Sequence, residues 1–214
     1  SFLYNEIDKL NESKKIITIG LKIDPTNHSL LNLLGLIFVK KEKISEAIDC
    51  YIQSINSKPN YWNAYNNLLF ILEKTNKLDL FKKYLDDAKQ IFTDQHIINL
   101  FEASYYMRKK NYLKSKKILL ENQLIDKLSS QEDSLIKFHD LLAKNFDFLD
   151  ESNSSFDNFK LRNNIKSNQL HNKIYDKNII LELIQNYKKY FTKINLDKFT
   201  KPEIPKKYQT PIFL

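Results

Sequence analysis

The sequence contains only two glycines, Gly20 and Gly35, in 214 residues. Average glycine usage of about 7% would give roughly fifteen. Without clustered glycines, the chain can build neither the glycine-rich turn of dinucleotide-binding proteins nor a Walker-type phosphate loop. Turns with positive φ also draw on glycine, which argues against an all-β fold with many tight turns. The remaining composition, rich in Leu, Ile, Lys and Asn, favours an all-α protein.

Cysteine and long apolar runs are also scarce. A single cysteine, Cys50, excludes an internal disulfide and a cysteine zinc site, and we interpret it as a small apolar helix residue. No apolar run reaches the length of a membrane span, so we expect a cytoplasmic protein with no membrane contact. The four histidines are scattered, and no nucleophile stands near a base. We therefore predict no catalytic, cofactor-binding or metal-binding residue in this chain.

The net charge of +8 is unevenly distributed. Residues 160–214 hold twelve Lys or Arg and four Asp or Glu, so the whole excess lies there and residues 1–159 are neutral. Only two of the 34 basic residues are arginine, the residue that makes bidentate contacts to bases. A neutral body and few arginines argue against nucleic acid as a partner.

A 34-residue period runs through the first half of the chain. Pro25 and Pro59 are 34 residues apart, and the segments around them align without gaps. Between them, the sequence places Leu31, Leu34 and Gly35, then Phe38, Ala47 and Tyr51. This order of large, small and aromatic residues resembles the tetratricopeptide repeat, in which each repeat is a pair of antiparallel helices. The resemblance implies a helical solenoid in which Gly35 and Ala47 allow close helix approach.

Later repeats are predicted at the same spacing, with a fourth pair displaced by about six extra residues near Gln123–Asp133. His139 falls at an inward position of that pair and is interpreted as a core histidine. We predict about 3.5–4.5 repeats, cut at the N-terminus, over residues 1–162. A polar segment and one amphipathic helix follow over residues 163–194, and residues 195–214 read as a linker and the start of a strand.

The first helix of each pair lines the concave side of such an array. Two kinds of side chain recur on it in phase: amides at Asn32 and Asn66, and cations at Lys40, Lys74 and Arg108. We predict that these residues form a groove for an extended acidic peptide, whose backbone the amides would bond. The same face is expected to carry Leu36, Phe70, Leu100 and Ser104.

The C-terminal region carries a second resemblance. An array ending Phe156-x-x-Phe159-x-x-x-Asn163, a basic spacer and then Pro211-Ile212-Phe213-Leu214 resembles the region before the catalytic domain of bacterial tetratricopeptide-containing sulfotransferases. In that family the strand runs into a Pro-Arg-Ser-Gly-Thr loop that holds the cofactor PAPS (3′-phosphoadenylyl sulfate). The resemblance implies a parent enzyme that transfers a sulfuryl group from PAPS, with the loop and the catalytic domain absent from this fragment. The repeats would present a protein or peptide acceptor, or would form a homodimer contact.

Two alternatives stay open at this point. The alternatives to the sulfotransferase region are a stand-alone interaction scaffold and the repeat region of a glycosyltransferase. The coding sequence after Leu214 discriminates among the three. A Pro-Arg-Ser-Gly-Thr loop indicates the sulfotransferase, glycine-rich turns of a doubly wound sheet indicate the glycosyltransferase, and a polar capping helix indicates the scaffold.

Overall fold

The computed structural model describes residues 2–93, 96–121, 124–129 and 131–172, with side chains from residue 10 to residue 169. All regular structure in these ranges is α-helical. The helices are α1 (Phe2–Ile23), α2 (His28–Lys40), α3 (Ile44–Ser57), α4 (Trp62–Lys74), α5 (Leu78–Ile91), α6 (Ile97–Arg108), α7 (Tyr112–Leu120), α8 (Leu124–Leu128), α9 (Glu132–Phe148) and α10 (Ser152–Asn172).

The chain divides into two units, residues 1–166 and residues 167–214. The first unit holds the helix pairs. Of the second unit the structure describes only residues 167–172, which complete α10. Residues 173–194 and the linker and strand start predicted at residues 195–214 lie outside the described residues, so the amphipathic helix predicted after the polar segment is not described. The predicted boundary after residue 162 stays a prediction, and α10 continues helically through it.

Helix pairing follows the sequence period. The two helices of each of the pairs α2–α3, α4–α5 and α6–α7 are joined by a tight turn, and α9 and α10 are joined by a turn of the same kind. The all-α helix-pair solenoid predicted from the sequence is therefore confirmed. The short α8 accounts for the extra residues predicted before the fourth pair.

The tight turns use the left-handed backbone region without glycine. Residues with positive φ stand at Glu42, Asn76, Lys110 and Asp150, which gives spacings of 34, 34 and 40 residues. The amide of the following residue donates back to the helix, for example from Asn111 N to Tyr106 O at 2.8 Å. This is the bonding pattern of a Schellman C-cap. The backbone conformation of these turns therefore recurs with the repeat, although the turn residues have different side chains.

The hydrophobic core forms two clusters that share α6. The first spans α3 to α6 and is centred on fully buried Leu68, Leu69 and Phe81, and the second spans α6 to α9. Phe101 belongs to the first cluster and its neighbour Leu100 to the second. Because adjacent residues of one helix feed both clusters, each repeat is stabilised by its neighbours, as expected of a solenoid.

Candidate functional site: a charged groove on the first helices

A pocket of about 410 Å³ lies where the first helices of three successive pairs, α4, α6 and α9, come together. Its apolar wall is formed by Phe70, Met107, Ile136 and Leu141, and the side chain of Phe70 is 57% exposed. The first helices line the concave side of arrays of this type. The pocket therefore lies on the surface where the sequence places the peptide groove.

Two of the five predicted groove residues line this pocket. Lys74 lies in the last turn of α4 and Arg108 in the last turn of α6, and both side chains are exposed. The 34-residue phase that led to their selection does bring them to one site. Their role in binding stays a prediction.

The other three residues lie elsewhere. Asn32 is only 5% exposed, and its Oδ1 accepts a hydrogen bond from Asn67 Nδ2 at 2.9 Å. Asn66 is half-buried and Lys40 is exposed, and neither lines the pocket. The amide of Asn32 is thus engaged with the next repeat through Asn67, the neighbour of the predicted Asn66. The peptide contacts predicted for Asn32, Asn66 and Lys40 stay predictions.

Two further positions assigned to the groove face are buried instead. Leu100 is fully buried in the second core cluster, and the hydroxyl of fully buried Ser104 donates to Glu73 Oε1. The expectation that both residues face the groove was wrong. Leu100 packs among core residues of α7, α8 and α9, and Ser104 is bonded to Glu73 on α4, so both side chains are engaged inside the protein.

A half-buried ion pair joins α4 to α9 at the floor of the groove and contacts α6. Lys137 Nζ on α9 donates to Glu73 Oε2 on α4 at 2.5 Å and lies 4.0 Å from the ring centroid of Phe101 on α6. Desolvation lowers the pKa of Lys137, against the opposing effect of the Glu73 carboxylate. Because Ser104 donates to the other oxygen of Glu73, the carboxylate is held by two helices at once.

A second charged cluster lies further along α9. Asp140 accepts a hydrogen bond from Lys144 Nζ at 2.5 Å and another from Arg162 Nη1 on α10. Burial acts to raise the pKa of Asp140, but these hydrogen bonds and the two positive charges outweigh it, so the pKa lies below its ordinary value. Asp140 is therefore a carboxylate at neutral pH and fixes α10 against α9.

Sequence reasoning missed the contribution of α9 to the groove. Lys137, Asp140 and Lys144 all line the pocket. The signal that would have found two of them was available: adding 40 residues, instead of 34, to Leu100 and Ser104 gives Asp140 and Lys144. The six extra residues had been recognised, but the groove columns had not been continued across them.

The titratable residues singled out elsewhere are structural. Burial raises the pKa of the Cys50 thiol to about 11, so the thiol is protonated at neutral pH. His139 is 5% exposed, as predicted for a core histidine, with Nδ1 2.9 Å from Asn158 Oδ1.

Within the described ranges no group of three or more His, Cys, Asp or Glu side chains is placed to hold a metal ion. No helix in the described ranges combines the length and the apolar character that crossing a bilayer requires.

The comparisons with solved structures show the class of fold. MamA (residues 41 to the end) from Desulfovibrio magneticus RS-1 is 14% identical, with a TM-score of 0.60, over 78% of this chain and 95% of that chain. A tetratricopeptide repeat protein from Parabacteroides merdae is 15% identical, with a TM-score of 0.60, over 85% and 78% of the two chains. YrrB, described as a tetratricopeptide protein with an unusual peptide-binding site, is 13% identical, with a TM-score of 0.55, over 80% and 87%.

Together with the paired helices and the 34-residue turns, these neighbours define the class of fold: a tetratricopeptide-type helical repeat. The family follows from the sequence match. The model of the family described as anaphase promoting complex subunit 8 / Cdc23 matches residues 3–123, more than half of the chain, and the chain belongs to that family. No curated protein matches the chain.

Proposed function

We propose that this chain is a peptide-binding repeat module whose groove on α4, α6 and α9 holds an acidic segment of a partner protein. The observation that carries the proposal is the pocket at which Lys74 and Arg108 stand beside the exposed ring of Phe70. Cations select acidic side chains, and the ring offers an apolar surface to a neighbouring residue of the same peptide. YrrB, a structural neighbour described as having a peptide-binding site, supports a peptide as the ligand.

The test measures binding of a fluorescein-labelled peptide, rich in Asp and Glu with one central Leu, by fluorescence anisotropy. We expect the affinity of the K74E/R108E double variant to fall by about tenfold or more, because two cations at the pocket become anions. The matched control is K77E/K109E. It makes the same charge change at exposed lysines that neighbour Lys74 and Arg108 but do not line the pocket. Equal losses in the two double variants would show a general charge effect and would overturn the proposal.

The amide column predicted beside the groove is part of the same proposal. Asn66 is half-buried on α4 and has an accessible part, whereas Asn32 is bonded to Asn67. We therefore expect N66A to weaken peptide binding more than N32A does. If N66A binds the peptide as tightly as the unsubstituted chain does, the amides are not part of the proposed site.

A sulfotransferase parent that uses PAPS remains a separate proposal. It rests on the basic spacer and on the residues Pro211–Leu214, which lie outside the described residues. The family match and the structural neighbours support the repeat region alone. The coding sequence following Leu214 tests the proposal: a Pro-Arg-Ser-Gly-Thr loop opening a helix supports it, and its absence overturns it.

The assembly and the location also remain proposals. Homodimer formation through the repeats is tested by the molar mass measured by light scattering during size-exclusion chromatography, which distinguishes 25.5 kDa from twice that value. A cytoplasmic location is tested by cell fractionation. Binding to duplex DNA, which the neutral repeat region argues against, is tested by anisotropy at low salt.

A further inference from the structure

The side chains that line the groove pocket do not balance in charge. Among the described residues that line it, five are cations and three, Glu73, Asp133 and Asp140, are carboxylates, so their formal net charge is +2. The cations are Lys74, Arg108, Lys137, Lys144 and Lys166. Two of them are engaged within the protein, since Lys137 pairs with Glu73 and Lys144 with Asp140.

After these two ion pairs, three cations from three different helices and the Asp133 carboxylate make up the surplus of +2. Lys74 ends α4, Arg108 ends α6 and Lys166 lies on α10. None of the three forms an ion pair with another described residue. Cations from separate helices that line one concavity are positioned to surround a ligand group, whereas cations along a single helix face would point to solvent side by side.

We propose that this pocket binds a dianionic group, the phosphorylated side chain of a partner segment, and that it prefers phosphate to a carboxylate. The proposal rests on the proposed peptide-binding function and names the chemistry that the groove selects. A phosphate monoester carries a charge of about −1.5 to −2 at neutral pH, which matches the surplus, whereas one carboxylate leaves half of it uncompensated. The Arg108 guanidinium can donate two parallel hydrogen bonds to phosphate oxygens.

The apolar wall supports the same inference. Phe70, Met107 and Ile136 line the same pocket as the charged groups. Apolar walls lower the local dielectric and strengthen the attraction between the cations and a bound anion. The exposed Phe70 ring also gives the residue next to the phosphorylated side chain a surface to pack on.

Three labelled peptides of the same acidic sequence test the proposal against the full chain by fluorescence anisotropy. They carry serine, phosphoserine or glutamate at one central position. We expect phosphoserine to bind about tenfold more tightly than glutamate and more tightly still than serine. In K74Q/R108Q this preference should fall below about twofold, whereas the control K77Q/K109Q should keep it. Thermal unfolding monitored by circular dichroism verifies that both double variants are folded.

The outcomes separate the two proposals. Binding of all three peptides with equal affinity, or a phosphoserine preference that persists in K74Q/R108Q, overturns the phosphate inference and leaves the peptide groove in place. Failure of every acidic peptide to bind overturns both. Stronger binding to vesicles containing phosphatidic acid than to the phosphoserine peptide would show that the pocket recognises a lipid headgroup, and would overturn the assignment to a peptide.

Discussion

Gly35 on α2 faces the ring of Tyr51 on α3 so closely that a Cβ atom at residue 35 would lie 2.5 Å from Tyr51 Cε1. Tyr51 is only 1% exposed, and a Cβ would also lie 2.8 Å from Cδ1 and 2.9 Å from Cζ. The ring therefore has no free space into which it can withdraw. The close approach of the two helices, inferred from the spacing of Gly35 and Ala47, is a direct packing of glycine against an aromatic ring.

We expect Gly35→Ala to destabilise the fold. Overpacking a tight core costs about 1–3 kcal/mol, and the better helix propensity of alanine returns about 1 kcal/mol. The net decrease in the free energy of unfolding should be up to about 2 kcal/mol, measured by urea denaturation.

The other glycine provides the control. A Cβ at Gly20 would approach Leu30 Cδ1 at 2.6 Å, which is the end of a half-buried, flexible side chain. Gly20→Ala should therefore be neutral or stabilising by about 0.5–1 kcal/mol. A Gly35→Ala variant as stable as the unsubstituted chain would show that the Tyr51 ring can move after all.

The left-handed turn residues give a second prediction, of opposite sign. Lys110 has φ of 60° in the turn between α6 and α7, a conformation that costs a residue with a Cβ about 1–2 kcal/mol. Lys110→Gly removes this strain at the cost of a more flexible unfolded chain. We expect the free energy of unfolding to rise by about 0.5–1 kcal/mol in urea denaturation.

Two comparisons check the cause of that gain. Asn76 has φ of 55° at the corresponding turn, and because asparagine tolerates this region, Asn76→Gly should change stability less than Lys110→Gly does. Gln53→Gly, at an exposed position inside α3, should destabilise by about 0.7–1 kcal/mol. If Lys110→Gly also destabilises, relief of backbone strain is not the dominant effect.

The Glu73–Lys137 pair tests how strongly the groove floor joins α4 to α9. Removing one partner leaves a charge in a site where the side chains are 15% and 24% exposed, so K137M or E73Q should lower the free energy of unfolding by about 2–3 kcal/mol. In the double variant neither charge is left unpaired. We expect its loss to be smaller than the sum of the single losses by about 1–2 kcal/mol. Additive losses in this double-mutant cycle would mean that the two residues stabilise the fold independently.

The parts of the fold that could be predicted from the sequence are those fixed by the period. Pro25 and Pro59 recur at that period, and Gly35 and Tyr51 match the repeat pattern between them. The physical basis of this pattern is local: a close helix approach, a large side chain that fills the space beside it, and a proline that ends the helix. The turns themselves were not predictable from glycine, because the chain uses Glu42, Asn76, Lys110 and Asp150 where glycine is expected. Their regular spacing was present in the sequence, but four different residue types concealed it.

Only part of the pocket lining could be predicted from the sequence. Lys74 and Arg108 line the pocket because both lie in the same phase of gapless repeats, and their role in binding stays a prediction. The pairing of Asn32 with Asn67 could not be found, because it depends on the rotation of one helix against the next, and neighbouring amides such as Asn66 and Asn67 look equivalent in sequence. Lys137 and Lys144 on α9 were missed because α8 lengthens the spacing before the fourth pair by six residues, and the groove columns were not continued across it.

Asp140 provides the prediction on pH dependence. Its pKa is below the ordinary 3.8 in the folded chain, so between the folded pKa and 3.8 the unfolded chain binds more protons than the folded chain. The stabilisation that Asp140 provides is therefore complete above pH 3.8 and is lost as the pH falls through the folded value. Asp140→Asn should lower the free energy of unfolding at pH 7 by about 1–2 kcal/mol, because Lys144 and Arg162 lose their charged partner.

In the same variant, the free energy of unfolding should also depend less steeply on pH in the acid range. Urea denaturation from pH 7 down to pH 3 should show a smaller loss of stability in Asp140→Asn than in the unsubstituted chain, so the two curves converge toward low pH. Asp157→Asn is the control, because Asp157 is exposed on α10 and forms no ion pair with another described residue. Its curve should run parallel to that of the unsubstituted chain. A constant difference between Asp140→Asn and the unsubstituted chain at every pH would mean that Asp140 acts through packing and not through its charge.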